Sequence, residues 1–320
     1  MTSSGTEALA RLIEYLENNA RRLVIDADAH ATDTGNPPGA MDGDYYHGRP
    51  VSAEDLIEEM DGAGVDMALI WQNPGATVYP GDIEGNTRAL LAANRYVQDA
   101  ARRYPTRFIP AGWVDPKGCG LANALQMTEV LIEEFGFSIV KLNPAQNSFP
   151  IDGPEVGAVV DRIVQLGATP AFHFGADTPY TPAEGLHRVA ERHPGRPVLA
   201  VHMGGGGAGY LAAEQLYAEA RALGLACPDI HYALSAKRET HIESDLIAYQ
   251  RAGEPFRSHL FCGSDAPYGR MAWNFGGCRT MFQSLMRARP GLFTPEAAQA
   301  YMGGNFARFA AAGCRRLLCR

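Results

Sequence analysis

The sequence predicts an α/β protein, namely a (β/α)8 TIM barrel with an N-terminal helix and a long loop after the first strand. Eight short apolar runs alternate with helical patterns along the 320 residues, and such alternation indicates parallel βα units. The runs are rich in Val, Ile, Leu and Phe, which is typical of buried parallel strands. In the second half, polar residues end successive runs at steps of 32, 29, 33 and 30 residues, at Lys141, His173, His202, Ser235 and Asp265.

The first element is an amphipathic helix within residues 1–22, because Leu9, Leu12, Ile13 and Leu16 recur at helical spacing. Eight strands are predicted at 23–30, 67–74, 108–116, 138–144, 169–175, 197–204, 230–236 and 259–267. No Pro/Ser-rich linker divides the chain. We therefore expect one domain over residues 1–320, with the barrel at 23–313 and a C-terminal tail at 314–320.

Three helix starts carry N-terminal capping signals. Ser52 is followed three residues later by Asp55, and Thr181 and Thr294 each precede a proline. A hydroxyl accepts a hydrogen bond from the first turn, and a proline at the first helical position has no N–H to satisfy. The sequence therefore predicts helices that begin directly after these three residues.

The longest irregular stretch, residues 31–51, follows the first strand and is rich in Gly and Pro. Long loops in compact domains are typical of functional segments, and the active sites of such barrels lie at the carboxyl ends of the strands. We expect this loop to cover the site as a mobile lid and to bring Tyr46, His47 and Arg49 to the substrate. The alternative is a disordered loop without a role in binding.

Composition argues against several classes of partner. The chain has 28 Lys and Arg against 36 Asp and Glu, a net charge of −8, and no basic run suited to nucleic acid. No apolar stretch approaches the roughly 18 residues of a membrane span, and the N-terminus lacks a signal-peptide pattern. The six cysteines form no C-x-x-C pair, so reduced thiols are expected. The sequence thus predicts a cytoplasmic protein that binds neither nucleic acid nor membranes.

Polar residues at the carboxyl ends of the predicted strands form the candidate site. The first strand ends in Asp26, Asp28 and His30, which share one side because side chains alternate along a strand. The later strand ends carry His173, His202 and Asp265. Imidazole nitrogens and carboxylate oxygens are donors that borderline divalent cations accept. The sequence therefore predicts one divalent metal ion, Zn²⁺ first and Mn²⁺ second, and no organic cofactor.

Six short motifs follow one another at barrel spacing between about residues 23 and 309. They are Asp26-x-Asp28-x-His30, Val140-Lys141-Leu142-Asn143-Pro144, Phe172-His173, Val201-His202-Met203-Gly204-Gly205, Gly263-Ser264-Asp265-Ala266-Pro267 and Gly304-Asn305-Phe306-Ala307-Arg308. In this order they resemble the amidohydrolase-related proteins of the aminocarboxymuconate-semialdehyde decarboxylase type, within the amidohydrolase superfamily.

The resemblance implies a (β/α)8 barrel with one catalytic metal ion. By position it implies that Asp28, His30 and His173 are metal ligands. It makes Asp265 a ligand or a proton shuttle, and His202 the general acid/base or a substrate-orienting residue. The common family pattern has histidine where this chain has Asp28, and members with an acidic residue there include several non-oxidative decarboxylases. An added anionic donor makes the metal a poorer activator of water, which favours decarboxylation slightly.

Three functions are compatible with these residues. The first is a metal-dependent non-oxidative decarboxylase of a small aromatic or unsaturated carboxylic acid, the second a hydrolase of an amide, lactone or similar bond, and the third an inactive barrel used for binding. Lys141 and Arg270 are expected to contact the substrate. We also expect a homodimer.

Alternatives stay open for three residues. Lys141 occupies the position at which binuclear superfamily members carry a carbamylated lysine that bridges two ions. Asp265 has the alternative of capping the helix after the last strand. Asp26 either anchors the barrel through backbone hydrogen bonds or orients a ligand histidine.

Overall fold

The computed structural model describes residues 3–35, 51–176, 179–207 and 214–319, in which parallel strands alternate with helices. Tyr46, His47 and Arg49, and with them most of the predicted lid loop, lie outside the described residues. The strands are β1 Ile25–Ala31, β2 Met67–Gln72, β3 Phe108–Pro110, β4 Gly112–Trp113, β5 Ile139–Leu142, β6 Thr169–His173, β7 Val198–Val201, β8 Ile230–Leu234 and β9 Leu260–Cys262.

Helices surround these strands. They are α1 Ser3–Asn19, α2 Ala53–Ala63, α3 Ile83–Arg103, α4 Leu121–Glu129, α5 Pro144–Asn147, α6 Pro154–Gln165, α7 Ala183–Glu191, α8 Glu214–Ala226, α9 Glu239–Ala252, α10 Met271–Ala288, α11 Pro295–Gln299 and α12 Asn305–Leu318. Two π-helical turns, Val130–Glu134 and Ala300–Gly304, extend α4 and precede α12.

The strands form two parallel sheets in chain order, β1-β2-β3 and β4-β5-β6-β7-β8-β9. This confirms the α/β class with parallel strands. Each strand lies within a predicted run except for Ala31, one residue past the first. The third predicted run forms two strands, β3 and β4, which Ala111 separates. The N–H of Ala111 still donates to the carbonyl of Ile70 over 3.1 Å.

The end of β1 lies beside the segment that follows β9. The N–H of His30 donates to the carbonyl of Ala266 over 2.7 Å, and the N–H of Asp265 donates to the carbonyl of Asp28 over 2.8 Å. Ala29 and Ala266 also form an isolated parallel bridge. These bonds bring the candidate site residues of the first and last predicted strands together.

The N-terminal helix is confirmed as α1, which packs on α12 and buries Leu16 completely. The boundary drawn at residue 314 differs from the structure, because α12 continues to Leu318. Ala310, Cys314 and Leu317 are all buried and recur at helical spacing, so the apolar stripe of α12 extends through the segment assigned to a tail.

Two of the three predicted caps are present. Ser52 and Asp55 form a reciprocal capping box at α2, and the Thr294 hydroxyl accepts from the N–H of Ala297 at α11. The cap predicted at Thr181 is wrong. Its hydroxyl donates to the carbonyl of Gly175 over 2.8 Å, and the N-cap of α7 is Pro182.

Among the described residues, no helix combines the length and the apolarity needed to cross a membrane. All six cysteines are free thiols, and five of them are buried.

A histidine pair lies at the amino ends of β8 and β9, opposite the candidate site. The rings of His231 and His259 pack against each other with centroids 4.2 Å apart and their planes tilted by 36°, beside Phe261 and Phe309. Nδ1 of His259 is buried and has no hydrogen-bond partner within the described residues. Burial lowers the pKa of His231 from 6.5 to about 3 and that of His259 to about 4.

This pair is expected to make the protein less stable as the pH falls from about 6.5 to about 4. The unfolded chain takes up both protons in that range while the folded chain does not, which costs about 1.4 kcal/mol per pH unit for each histidine. Urea unfolding of His231→Phe/His259→Phe should therefore show a shallower pH slope than the wild type. His187→Gln, at a half-exposed position on α7, is the matched control for the loss of a histidine. Equal slopes for the double variant and the wild type would contradict the expectation.

Candidate active site

A cavity of about 680 Å³ opens at the carboxyl ends of the strands. Parallel strands end at the same edge, so side chains from distant parts of the sequence meet there. Most of the predicted site residues that the structure describes line this cavity, namely His30, Lys141, His173, His202, Asp265 and Arg270.

Asp28 lies beneath the cavity and is fully buried. Its Oδ1 accepts from the indole N–H of Trp71 over 2.9 Å, and its Oδ2 accepts from the hydroxyl of Ser235 over 2.6 Å. Burial alone raises the pKa of this carboxyl, but the nearby Lys141, His202 and His30 hold the pKa well below its ordinary value. Asp28 is therefore ionised at neutral pH.

His30 presents a lone pair to the cavity. Its Nδ1 lies 2.8 Å from the carbonyl oxygen of Gln72, and because a carbonyl only accepts, Nδ1 carries the hydrogen in the neutral ring. Nε2 then bears the lone pair, and it lies 3.4 Å from Oδ1 of Asp265. Two acceptors facing each other at this distance repel unless a proton or a metal cation stands between them.

Asp265 adopts a left-handed backbone conformation, with a φ of 60°. Aspartate is among the residues that tolerate this conformation, and here it aims the carboxylate at His30. The alternative that Asp265 caps the following helix is wrong, because the N-cap of α10 is Arg270.

His202 is buried and tied to Asp28 through Ser235. The hydroxyl of Ser235 donates to Asp28, so it accepts from Nδ1 of His202, 2.9 Å away. The remaining nitrogen, Nε2, therefore carries a lone pair in the neutral ring. Burial lowers the pKa of His202 to about 4, which keeps the ring neutral at neutral pH.

One cluster of metal-ligand type is present within the described residues. Asp28, His202 and Asp265 each offer one ligand atom, and these atoms lie within 4.8 Å of one another. His30 borders the cluster through Asp265, and the ring of His173 lies 4.7 Å from that of His202, centroid to centroid. His202, predicted as an acid/base and not as a metal ligand, therefore lies in the same cluster as Asp28 and Asp265.

Lys141 is buried between two indole rings. Its Nζ lies 4.8 Å from the ring centroid of Trp71, 5.0 Å from that of Trp113 and 3.4 Å from Oδ1 of Asp28. Aromatic faces and a carboxylate both stabilise a cation.

Asp26 lies one step deeper along β1 and acts on the backbone. Its Oδ1 accepts from the N–H of Asp28 over 3.0 Å and from the N–H of Ser264 over 2.9 Å, and its Oδ2 accepts from the Ser264 hydroxyl. Burial raises the pKa of this carboxyl to about 8. The contacts agree with the anchoring alternative, since they fasten β1 to the segment after β9.

A family model described as Amidohydrolase matches residues 25–309. The chain belongs to the amidohydrolase family. This confirms the resemblance drawn from the six sequence motifs. No curated protein matches the chain.

Several solved structures resemble this amidohydrolase. A 5-carboxyvanillate decarboxylase from Novosphingobium aromaticivorans, complexed with manganese and 4-hydroxy-3-methoxy-5-nitrobenzoic acid, is 15% identical with a TM-score of 0.64, covering 92% of this chain and 97% of that one. A dihydroxybenzoic acid decarboxylase from a Polaromonas species, with manganese and the inhibitor 2-nitroresorcinol, is 13% identical with a TM-score of 0.64, covering 90% and 96%. A probable 2-pyrone-4,6-dicarboxylic acid hydrolase from Acinetobacter baumannii, with citric acid bound, is 13% identical with a TM-score of 0.54, covering 87% and 98%. At these identities the likeness shows the fold of the amidohydrolase.

Sequence reasoning missed four residues of the site. Ser235 bridges Asp28 and His202, whereas the sequence indicates only that a polar residue ends a predicted strand there. Trp71 and Trp113 lie inside predicted strands and carry no motif, and Tyr268 sets its ring against His30 with centroids 5.4 Å apart. The 33-residue step from His202 to Ser235 was the one signal available for any of them.

Proposed function

We propose that this amidohydrolase is a metal-dependent, non-oxidative decarboxylase of a small aromatic carboxylic acid. The observation that carries the proposal is the pair of facing acceptors, His30 Nε2 and Asp265 Oδ1, beside the ionised Asp28 at a cavity lined by aromatic rings. A proton or a cation would satisfy the acceptors, the nearby carboxylate of Asp28 and ring of His202 complete a donor set that suits a metal cation, and the rings suit a flat substrate. The decarboxylases among the structural neighbours agree with this assignment.

The fold that supports this site is inferred to be an eight-stranded barrel within one domain. Its support is the hydrogen bonding between the end of β1 and the segment after β9, together with the division of a single strand into β3 and β4 at Ala111. The homodimer stays a prediction.

The residues present fit one divalent cation. Lone pairs of His30 and His202 and carboxylate oxygens of Asp28 and Asp265 form a nitrogen and oxygen donor set, and His173 is the further ligand proposed from the sequence. Such a set accepts Zn²⁺ and Mn²⁺ alike, and manganese in two structural neighbours makes it the first metal to test. When bound, the cation supplies positive charge that holds the substrate carboxylate and a neighbouring oxygen.

The side chains of the chain then carry the proton. Asp265 donates a proton to the ring carbon as its bond to the carboxylate carbon breaks, so that the electron pair of that bond becomes the new C–H bond and carbon dioxide leaves. Asp265 regains its proton from water. His202, neutral and bound to Ser235 through Nδ1, is better suited to holding position than to donating a proton from Nε2.

Lys141 is proposed to act as an ammonium that balances the negative charge of Asp28 and the substrate. Its two indole neighbours and Asp28 stabilise a cation, whereas a carbamate there would set a second anion beside Asp28. This supports one metal ion per chain. Arg270 is less available to bind the substrate, because its Nε donates to Glu59 over 2.9 Å.

Hydrolysis of a lactone or amide is the second candidate function. The hydrolase among the structural neighbours favours it, since that protein shares the fold. The donor set is common to both reactions, and the difference lies in whether water or the substrate carboxylate reaches the site.

The test is metal analysis combined with a substrate panel. The purified protein, loaded with Mn²⁺ or Zn²⁺, is incubated with hydroxybenzoates, unsaturated acids, lactones and amides. We expect about one metal per chain and release of carbon dioxide from at least one aromatic acid. Hydrolysis of a lactone or amide without release of carbon dioxide would select the second function.

Trp273 is expected to affect substrate binding rather than turnover. The residue lies at the cavity mouth on α10, and 67% of it is exposed. Stacking between aromatic rings contributes about 0.5–1.5 kcal/mol, so Trp273→Ala should raise KM about 3- to 10-fold with kcat within twofold. Trp273→Phe should restore most of the affinity. A fall in kcat with unchanged KM would place Trp273 elsewhere in the reaction.

A further inference from the structure

The turn that carries His202 has a strained backbone. His202 and Met203 adopt φ values of 79° and 47°, and Gly204 follows with 82°. Side chains other than that of glycine rarely adopt this region, and such conformations persist only where the surroundings hold them. The position of the His202 ring therefore depends on what fixes the backbone of this turn.

A buried lysine binds the turn directly. Nζ of Lys237 donates to the carbonyl of Met203 over 2.9 Å and to Oδ2 of Asp245 over 2.6 Å. Nζ also lies 4.9 Å from the ring centroid of Tyr217. An ammonium has three donors, and these neighbours occupy it. Although Lys237 lines the cavity, it is thus fastened to the protein.

Asp245 anchors this lysine to two helices. It lies on α9 with a fully buried side chain, and its Oδ1 accepts from Nε of Arg221 on α8 over 2.6 Å. The bond from Lys237 therefore ties the His202 turn to α8 and α9.

Residues 235–237, the segment that ends in Lys237, also hold the His202 ring. Ser235 binds Nδ1 of His202, and the carbonyl of Ala236 accepts from the N–H of Gly206 over 2.7 Å. Residues 235–237 thus contact the ring through Ser235 and the backbone behind it through Lys237.

We propose that Lys237, held by Asp245, is a positioning residue that fixes the backbone of the His202 turn and so keeps the imidazole in place for the reaction. The inference rests on the proposed function insofar as it concerns turnover. The bond to Met203 makes a second prediction that is independent of any substrate, namely that the turn loosens when the ammonium is removed.

The decisive variant is Lys237→Met/Asp245→Asn, which removes the two buried charges together and keeps an amide oxygen at position 245 as an acceptor for Nε of Arg221. Lys117→Met is the matched control, because Nζ of Lys117 also donates to a carbonyl over 2.9 Å, that of Ser148, whose φ is 57°. Hydrogen exchange of residues 202–207 and of helix α6 is measured by mass spectrometry on the metal-loaded protein, together with kcat and KM.

We expect the double variant to exchange at least 10-fold faster over residues 202–207 with α6 unchanged. Its kcat should fall 10- to 100-fold while KM stays within threefold, and Lys117→Met should match the wild type. Wild-type exchange over 202–207, or faster exchange with an unchanged kcat, would overturn the proposal. If the double variant does not fold, Asp245→Asn is measured in its place, because it keeps an oxygen acceptor for Lys237. Its exchange over residues 202–207 should be 3- to 10-fold faster and its kcat 3- to 10-fold lower. Wild-type values in Asp245→Asn would equally overturn the proposal. A wild-type protein that releases no carbon dioxide would refute the proposed function, whereas the exchange result would still test the turn.

Discussion

Asp265→Asn is expected to keep most of its metal and to lose turnover by about 10²- to 10⁴-fold, the usual contribution of a general acid or base. The amide still offers an oxygen to a cation, but it cannot deliver or regain a proton near neutral pH. The left-handed backbone at Asp265 is retained, since asparagine tolerates it as well as aspartate does. Metal content and kcat measured on the same sample separate the two effects.

Two further variants calibrate this result. Asp161→Asn makes the same change in an ion pair with Arg192, away from the cavity, and should leave kcat unchanged. His202→Asn separates the two proton assignments. If His202→Asn alone is inactive, the proton role belongs to the imidazole, and if both site variants keep wild-type kcat, the active site lies elsewhere.

His30→Ala is expected to abolish metal retention and with it detectable turnover, while the fold is kept. Loss of a residue that hydrogen-bonds to a metal ligand lowers metal affinity about 10- to 100-fold. Loss of one of about four ligands is expected to lower it further. His30 ends a strand and faces the cavity, so the packed layers below lose little. Metal per chain after gel filtration and thermal unfolding with and without added metal are the measurements.

His173→Ala tests the ligand that the resemblance implies but that lies outside the compact cluster. A parallel loss of metal would place His173 among the ligands. His193→Ala, which removes a histidine bound to Asp161, serves as the control. Stoichiometric metal in His30→Ala would contradict the account of the facing acceptors.

The strands, and the convergence of most candidate site residues at one edge, could be predicted because both depend on periodicity along one chain. Apolar runs at regular spacing fix where parallel strands begin, and the last polar residue of each run is delivered to the same edge. Hence Asp28, His30, His202 and Asp265 meet as expected, although they are up to 237 residues apart in sequence.

What the sequence did not reveal depends on contacts between distant side chains. The Ser235 hydroxyl hydrogen-bonds to both Asp28 and His202, and Nζ of Lys237 donates to the carbonyl of Met203. His202 and Met203 have positive φ values, which their residue types do not signal in the sequence. Thr181 illustrates the converse error. It has a capping signal, yet its hydroxyl donates to the carbonyl of Gly175 instead of accepting from the first turn of α7.

Isotope labelling of the product distinguishes decarboxylation from hydrolysis. The metal-loaded protein converts its aromatic acid in D₂O, and separately in water enriched in ¹⁸O, and the products are analysed by mass spectrometry and NMR. We predict one deuterium on the ring carbon that bore the carboxylate, one carbon dioxide released per product, and no ¹⁸O in the ring product. A product that keeps its carboxylate and gains one ¹⁸O would show hydrolysis and contradict the account.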